Sequence, residues 1–172
     1  YETACKPGMV GDGIRASFTV TGASAAPKTT DENLAAATTE YQRYVASQAD
    51  AFLARTTEFV ALVKAGKVDE AKALYPTARS YWERIEPVAE SFGDLDPKID
   101  GRAEVVDEGM EFTGYHRLER DLWESGLQPD SAAMADRLLA DVTELVTKAK
   151  AVELNPLQLA NGSKALLDEI AT

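Results

Sequence analysis

Between residues 31 and 64, Leu34, Tyr41, Val45, Phe52, Phe59 and Val63 recur at intervals of 7, 4, 7, 7 and 4. Those intervals trace one face of an α-helix and no face of a strand, so the stretch is predicted to be a long helix packed on other helices. Thr30 or Asp31 supplies an N-cap and Gly66 a stop. The chain beyond keeps the helical period. Asp69 opens a second stretch to about Phe92, in which Pro76 and Pro87 must kink or interrupt the helix because each lacks a backbone donor and crowds the preceding turn. After a turn at Gly93-Asp94-Leu95-Asp96-Pro97, a third stretch covers roughly residues 98–124, with Gly101 and Gly109 as candidate breaks. A fourth starts at Asp130 or Ser131 and runs to about Glu153 on the stripe Leu138, Val142, Leu145 and Ala149. Asn155-Pro156, a cap followed by proline at the first helical position, opens a last helix to Ile170. The expected fold is mainly α: an antiparallel four-helix bundle, with a fifth helix starting a further helical unit.

Residues 1–22 differ in kind. Ile14, Ala16, Phe18 and Val20 alternate with polar neighbours over residues 14–21, the period of a half-buried strand. A strand needs partners, so residues 1–22 are expected to be the last part of a β domain, and the small residues of 23–30 a linker to the helical region 31–172. Tyr1 opens the chain without an initiator Met, a basic segment or an apolar segment, which predicts a processed or truncated piece.

Eighteen basic against 29 acidic residues give a net charge of −11. Such a surface repels phosphate backbones and anionic lipid and attracts cations. One cysteine and one histidine exclude a disulfide framework and any Cys/His zinc finger. A blue-copper loop built on Cys5 and Met9 would also need two histidines, so Cys5 reads as a small hydrophobe. Site chemistry must rest mainly on carboxylates.

The sharpest local feature is Gly114-Tyr115-His116-Arg117-Leu118-Glu119, where His116 and Glu119 share a helix face and can share an ion. Imidazole with carboxylate suits iron, zinc or manganese. A surface or partner-bonded histidine is the plainer alternative. In Tyr81-Trp82-Glu83-Arg84-Ile85-Glu86-Pro87, Glu83 and Glu86 repeat the spacing beside a helix-disrupting proline, while Trp82 and Ile85 can pack inward. The alternative for these two acids is a solvated face paired with Arg79 and Arg84. Asp94, Asp96 and Asp100 flank the next turn, and the Asp94-x-Asp96 pair reads as a helix cap or as a source of one oxygen ligand. The HExxH signature, a Gly-x-Ser-x-Gly elbow and a phosphate-cradling loop are absent.

Taken together, Tyr81–Glu90, Asp94-Leu95-Asp96, Ile99-Asp100 and Phe112–Glu119 resemble the EfeO-type extracytoplasmic iron-uptake proteins of the imelysin-like peptidase family, whose Gly-x-His-x-x-Glu motif is matched by Gly114, His116 and Glu119. Tyr1, Cys5 and the strand over 14–21 resemble the end of the cupredoxin-like domain that precedes the helical domain in such proteins. The resemblance implies an iron-binding component of an EfeUOB-type uptake system, exported and serving a membrane permease and a haem-type peroxidase. It implies a metal site of His116 and Glu119 faced by Glu83, Glu86 and Asp96, holding iron (Fe²⁺ or Fe³⁺), or zinc or another divalent ion. It also implies that residues 31–172 are the first part of a longer double bundle. Alternatives are a metallopeptidase, as the family label suggests, or a structural helical module that docks a partner.

Overall fold

Asp31 starts the first helix by accepting hydrogen bonds from the backbone N–H groups of Asn33 (2.9 Å) and Leu34 (3.2 Å). The helix, α1, spans Glu32–Lys64. It ends in a Schellman turn: Lys67 N–H bonds back to Leu62 O (3.0 Å), with Gly66 in the left-handed region at φ +68°. These elements come from a computed structural model that describes residues 2–5, 14–17, 19, 31–103 and 109–170.

The turn reverses the chain into α2, Val68–Glu83. Pro76 stays inside α2, contrary to the expected interruption; its ring removes one donor without ending the helix. The break falls instead at Arg84-Ile85, after which Glu86–Phe92 tightens into a 3-10 segment with Val88 off helical geometry. The third stretch expected over roughly 98–124 divides, with the candidate breaks Gly101 and Gly109 both lying between its parts: α3 (Leu95–Asp100), and α4 (Gly114–Arg120) running into a π turn at Asp121–Ser125. Gly101 ends α3 with extended backbone (ψ 136°), and Gly109 and Gly114 take positive φ, which no continuous helix allows. The last two helices follow expectation: α5 spans Ser131–Ala151 and α6 spans Pro156–Ile170, where Asn155 Oδ1 accepts from the N–H groups of Leu157 and Gln158 (3.0 Å each).

Among the described residues the β structure is one antiparallel pair, β1 (Glu2–Cys5) and β2 (Ile14–Ser17), in the register Glu2 to Ser17 and Cys5 to Ile14. The partner that β2 needed thus lies within the chain. The expected continuation of the strand beyond Ser17 falls almost wholly outside the described residues, as does the linker over 23–30.

α1 packs chiefly on α5 and α2, α3 and α4 lean on α5, and α6 covers the 3-10 segment. The protein is mainly helical, as its periodicity predicts. Val45, Phe52, Phe59 and Val63 of the predicted α1 stripe are buried, with all four predicted positions of α5. Tyr41 is partly buried, and Leu34 is 48 % exposed in the first turns of α1, where among the described residues only Thr38 is buried before Val45. The aromatic centre is Phe52, Phe59, Trp82 and Tyr115. Tyr115 stacks on Phe59 (5.4 Å between centroids) and Phe52 (5.7 Å), and each such buried ring contributes about 1.5–3 kcal/mol. Thr56 Oγ1 donates to Phe52 O (2.8 Å), so the Tyr115 hydroxyl is the donor in its own 2.8 Å bond to Thr56. Tyr115 therefore pins α4 to the core, and the next residue on that helix, His116, turns toward the rim.

Candidate metal centre

His116 is held from both sides. Its Nδ1 lies 2.7 Å from Glu119 Oε2, one turn along α4. Its Nε2 lies 2.8 Å from Arg79 Nη1 on α2 and 3.7 Å from Asp100 Oδ1 at the end of α3. A guanidinium only donates, so Nε2 must present its lone pair and the ring proton sits on Nδ1, donated to Glu119. A carboxylate holding one imidazole nitrogen and leaving the other as a lone pair is the arrangement that orients histidine toward a metal.

Arg79 stands at the middle of the cluster. Its Nη2 donates to Asp100 Oδ2 (2.8 Å) and to Glu83 Oε1. Arg79, Asp100 and His116 side chains are only 15 %, 11 % and 13 % exposed, whereas Glu83 and Glu119 keep about half of theirs in water. Asp100 is the most perturbed acid: burial pushes its carboxyl up to about 6, Arg79 partly offsets this, and the charges of Glu83 and Asp96 add to the rise. Its Oδ1 is buried without a hydrogen-bond partner. Burial, and then the nearby charge of Glu119, raise the Tyr75 hydroxyl far above its usual range; that hydroxyl is buried close to Arg79 and Glu119.

Beside His116 a cleft of about 400 Å³ opens to solvent, lined by Arg102, Phe112, His116, Glu119, Arg120 and Trp123 among others. Trp123, 48 % exposed, meets Tyr75 edge-on at 5.3 Å and lies under Lys72. It belongs to the π turn, and such turns in helices are frequent at functional sites.

Of the residues singled out in the sequence, the structure brings His116, Glu119 and Glu83 into one hydrogen-bonded set. Glu86 opens the 3-10 segment, and Asp96 sits one turn before Asp100 on α3, where its charge acts on the Asp100 carboxyl. The member not anticipated as a ligand is Asp100, which the i, i+4 spacing from Asp96 places on the same helix face one turn nearer α4. Arg79 was anticipated as a partner of Glu83, but on a solvated face rather than inside the cluster. Arg84, its expected companion, reaches Gln48 Oε1 (3.1 Å) and covers the Tyr81 ring. Among the described residues no three His, Cys, Asp or Glu side chains stand close enough to form a ready-made ion cage, and the Arg79 guanidinium fills the space between them.

The donor set nevertheless suits a transition-metal ion: an imidazole nitrogen and a carboxylate oxygen without a hydrogen-bond partner stand 3.7 Å apart. Two ligands about 2.1 Å from one tetrahedral ion stand about 3.4 Å apart, so a small inward shift completes that edge.

The sequence profile of the imelysin (Peptidase_M75) family matches residues 37–172. An Efem/EfeO family lipoprotein of Staphylococcus haemolyticus is 46 % identical over 144 residues, covering 81 % of this chain and 50 % of that protein. The iron uptake system component EfeM of Bacillus subtilis is 42 % identical over 150 residues, covering 87 % of this chain and 39 % of that protein. An Efem/EfeO family lipoprotein of Staphylococcus aureus is 44 % identical over 140 residues, 79 % of this chain and 49 % of that one. The chain thus spans about half or less of the length of these curated relatives. The helical region built around Gly114, His116 and Glu119 belongs to the imelysin family, in its EfeM/EfeO-like branch.

Proposed function

We propose that this chain is the metal-binding part of an extracytoplasmic iron-uptake protein. Its cargo ion is held by His116 Nε2 with Asp100 and Glu83, and Glu119 orients the imidazole and closes the shell. The observation that carries the reading is the buried Asp100 Oδ1, which has no hydrogen-bond partner and lies 3.7 Å from His116 Nε2, the acceptor for Arg79. In this reading Asp96 tunes the charge at Asp100. One imidazole and several carboxylate oxygens favour Fe²⁺ or Fe³⁺ and tolerate zinc. The net charge of −11 concentrates cations at the surface.

Location and partners follow the relatives. Two are named lipoproteins and one an iron uptake system component, which supports an exported protein that works within an iron-uptake system; in this reading its partners are a membrane permease and a haem-type peroxidase. No helix among the described residues is long and apolar enough to cross a membrane. Residues 1–22 are, in the same reading, the end of a cupredoxin-like domain, and 23–30 the linker to the bundle.

Calorimetric titration of the metal-free chain with Fe²⁺ under anaerobic conditions tests the reading. One ion per chain is expected, with binding lost in His116→Ala and Glu119→Ala while circular dichroism stays unchanged. Failure of the wild type to bind overturns it. Sustained casein cleavage by metal-loaded protein, abolished by EDTA, would instead establish the peptidase alternative.

A further inference from the structure

We propose that Arg79 is the resident cation of the metal site, and that an incoming metal ion binds by displacing its guanidinium. The proposal rests on the metal-binding reading above and adds to it how the site is kept when no ion is bound.

The contacts of Arg79 are those an ion would make. Nη1 faces the lone pair of His116 Nε2 at 2.8 Å, and Nη2 faces Asp100 Oδ2 at 2.8 Å together with Glu83 Oε1. A lone pair that accepts an N–H is not available to a metal, so the guanidinium and the ion exclude one another at these atoms. The guanidinium matches three acceptors drawn from α2, α3 and α4, and it holds them converged against the mutual repulsion of Glu83 and Asp100. An ordinary surface pair between Arg79 and Glu83 at i, i+4 would need neither Asp100 nor His116.

Charge leads to the same conclusion. Arg79 brings one positive charge to a cluster with three carboxylates, Glu83, Asp100 and Glu119, leaving the site attractive to a cation of higher charge. With the guanidinium unmoved, that cation would meet a positive group at contact range in a mostly buried setting, where water screens poorly.

The displaced side chain also has a place to go. Tyr75, one turn before Arg79 on α2, has a buried hydroxyl that already stands close to both Arg79 and Glu119 without good hydrogen-bond geometry to either. The cleft lined by Glu119 and Trp123 opens beside it. A guanidinium withdrawn in that direction gains Tyr75 and Glu119 as acceptors and frees Nε2, Asp100 and Glu83. Binding is then an exchange of one cation for another. Singly charged ions fail to compete with three charge-assisted hydrogen bonds, and compact multivalent ions succeed.

Zn²⁺ is a redox-inert probe for this exchange. It is titrated calorimetrically at pH 7 into the full chain and into Arg79→Gln, Arg79→Lys and His116→Ala, each checked by circular dichroism. Arg79→Gln is expected to bind on the order of tenfold tighter than wild type, because no cation must leave. Arg79→Lys, which keeps the charge but not the fork, falls between them, and His116→Ala does not bind. In wild type labelled with ¹⁵N at the arginine guanidinium groups, one protected Arg79 signal in the metal-free protein should shift or lose protection on adding one equivalent of zinc; this readout needs no variant to fold. Zinc binding to wild type with Arg79→Gln equal or weaker, or with the Arg79 signal unmoved, overturns the exchange and leaves the metal site standing. No zinc binding by wild type, Arg79→Gln and Arg79→Lys alike overturns both.

Discussion

A Cβ on Gly114 would stand 2.3 Å from the backbone carbonyl oxygen of Ile99. Gly114 also has φ +79°, a conformation that L side chains rarely adopt. The start of α4 therefore lies directly against the end of α3, and this contact brings His116, two residues on, opposite Asp100, one residue past Ile99. The glycine of the Gly-x-His-x-x-Glu pattern is thus a spacing requirement between His116 and Asp100. Gly114→Ala should destabilise the chain by about 2 kcal/mol or more and separate His116 from Asp100, weakening metal binding as well. Urea unfolding and a zinc titration of the same variant check both effects. A variant with wild-type stability and affinity would show that the close approach does not matter.

One turn beyond His116 a second polar network fixes the other end of α4. Asp121 is fully buried, lies 3.2 Å from Arg117 Nη1 and accepts from Ser131 Oγ at 2.7 Å, while Arg117 Nη2 reaches Asp130 at 3.1 Å. Removing one partner strands a charge in the core. Arg117→Met should cost about 3–5 kcal/mol, and the double change Arg117→Met with Asp121→Leu should recover most of it, since the pair as a whole yields little net stability. Chemical denaturation of the single and double variants decides; a single change costing less than about 1 kcal/mol would mean that Asp121 is not held by Arg117.

Asp100 gives the metal-free protein a pH signature. Its carboxyl titrates near 6, above the ordinary carboxylate range, chiefly because it is buried. A group whose pKa rises on folding contributes stability that is fully present below its unfolded pKa of about 4 and is lost as pH climbs through its folded value. Relative to Asp100→Asn, the wild type should therefore lose on the order of 2 kcal/mol between about pH 4 and pH 7. Urea unfolding of both proteins without metal across that interval measures the difference, and a flat difference contradicts the assignment. Zinc should bind more weakly below pH 6, because the proton then competes for the ligand.

The bundle was legible in the sequence because its information is local. The 7 and 4 spacing from Val45 to Val63 and the cap at Asp31 each act within a few residues, and the structure keeps them. Leu34 failed because periodicity says which face is apolar but not whether another helix reaches that far. The third stretch is a related case: Gly101, Gly109 and Gly114 permit breaks, and only packing of α4 on α3 decides that they occur. In the site, His116 with Glu119 and Glu83 with Arg79 are pairs on one helix and could be read from spacing. Asp100 joins them across three helices, so Asp96 and Asp100, one turn apart, could not be told apart until α3 was docked. Arg79 carried a sequence signal too, its i, i+4 spacing to Glu83, but that spacing is common on solvated faces.

The proposed metal ion sits at His116 Nε2 together with Asp100 and Glu83. Anomalous diffraction from crystals grown with one equivalent of zinc, collected on both sides of the zinc absorption edge, tests this most directly. The predicted result is a single edge-dependent peak about 2.0–2.2 Å from His116 Nε2 and from a carboxylate oxygen of Asp100, with the Arg79 guanidinium moved off that point. A peak elsewhere on the chain, or none with Arg79 still bonded to His116, would contradict it.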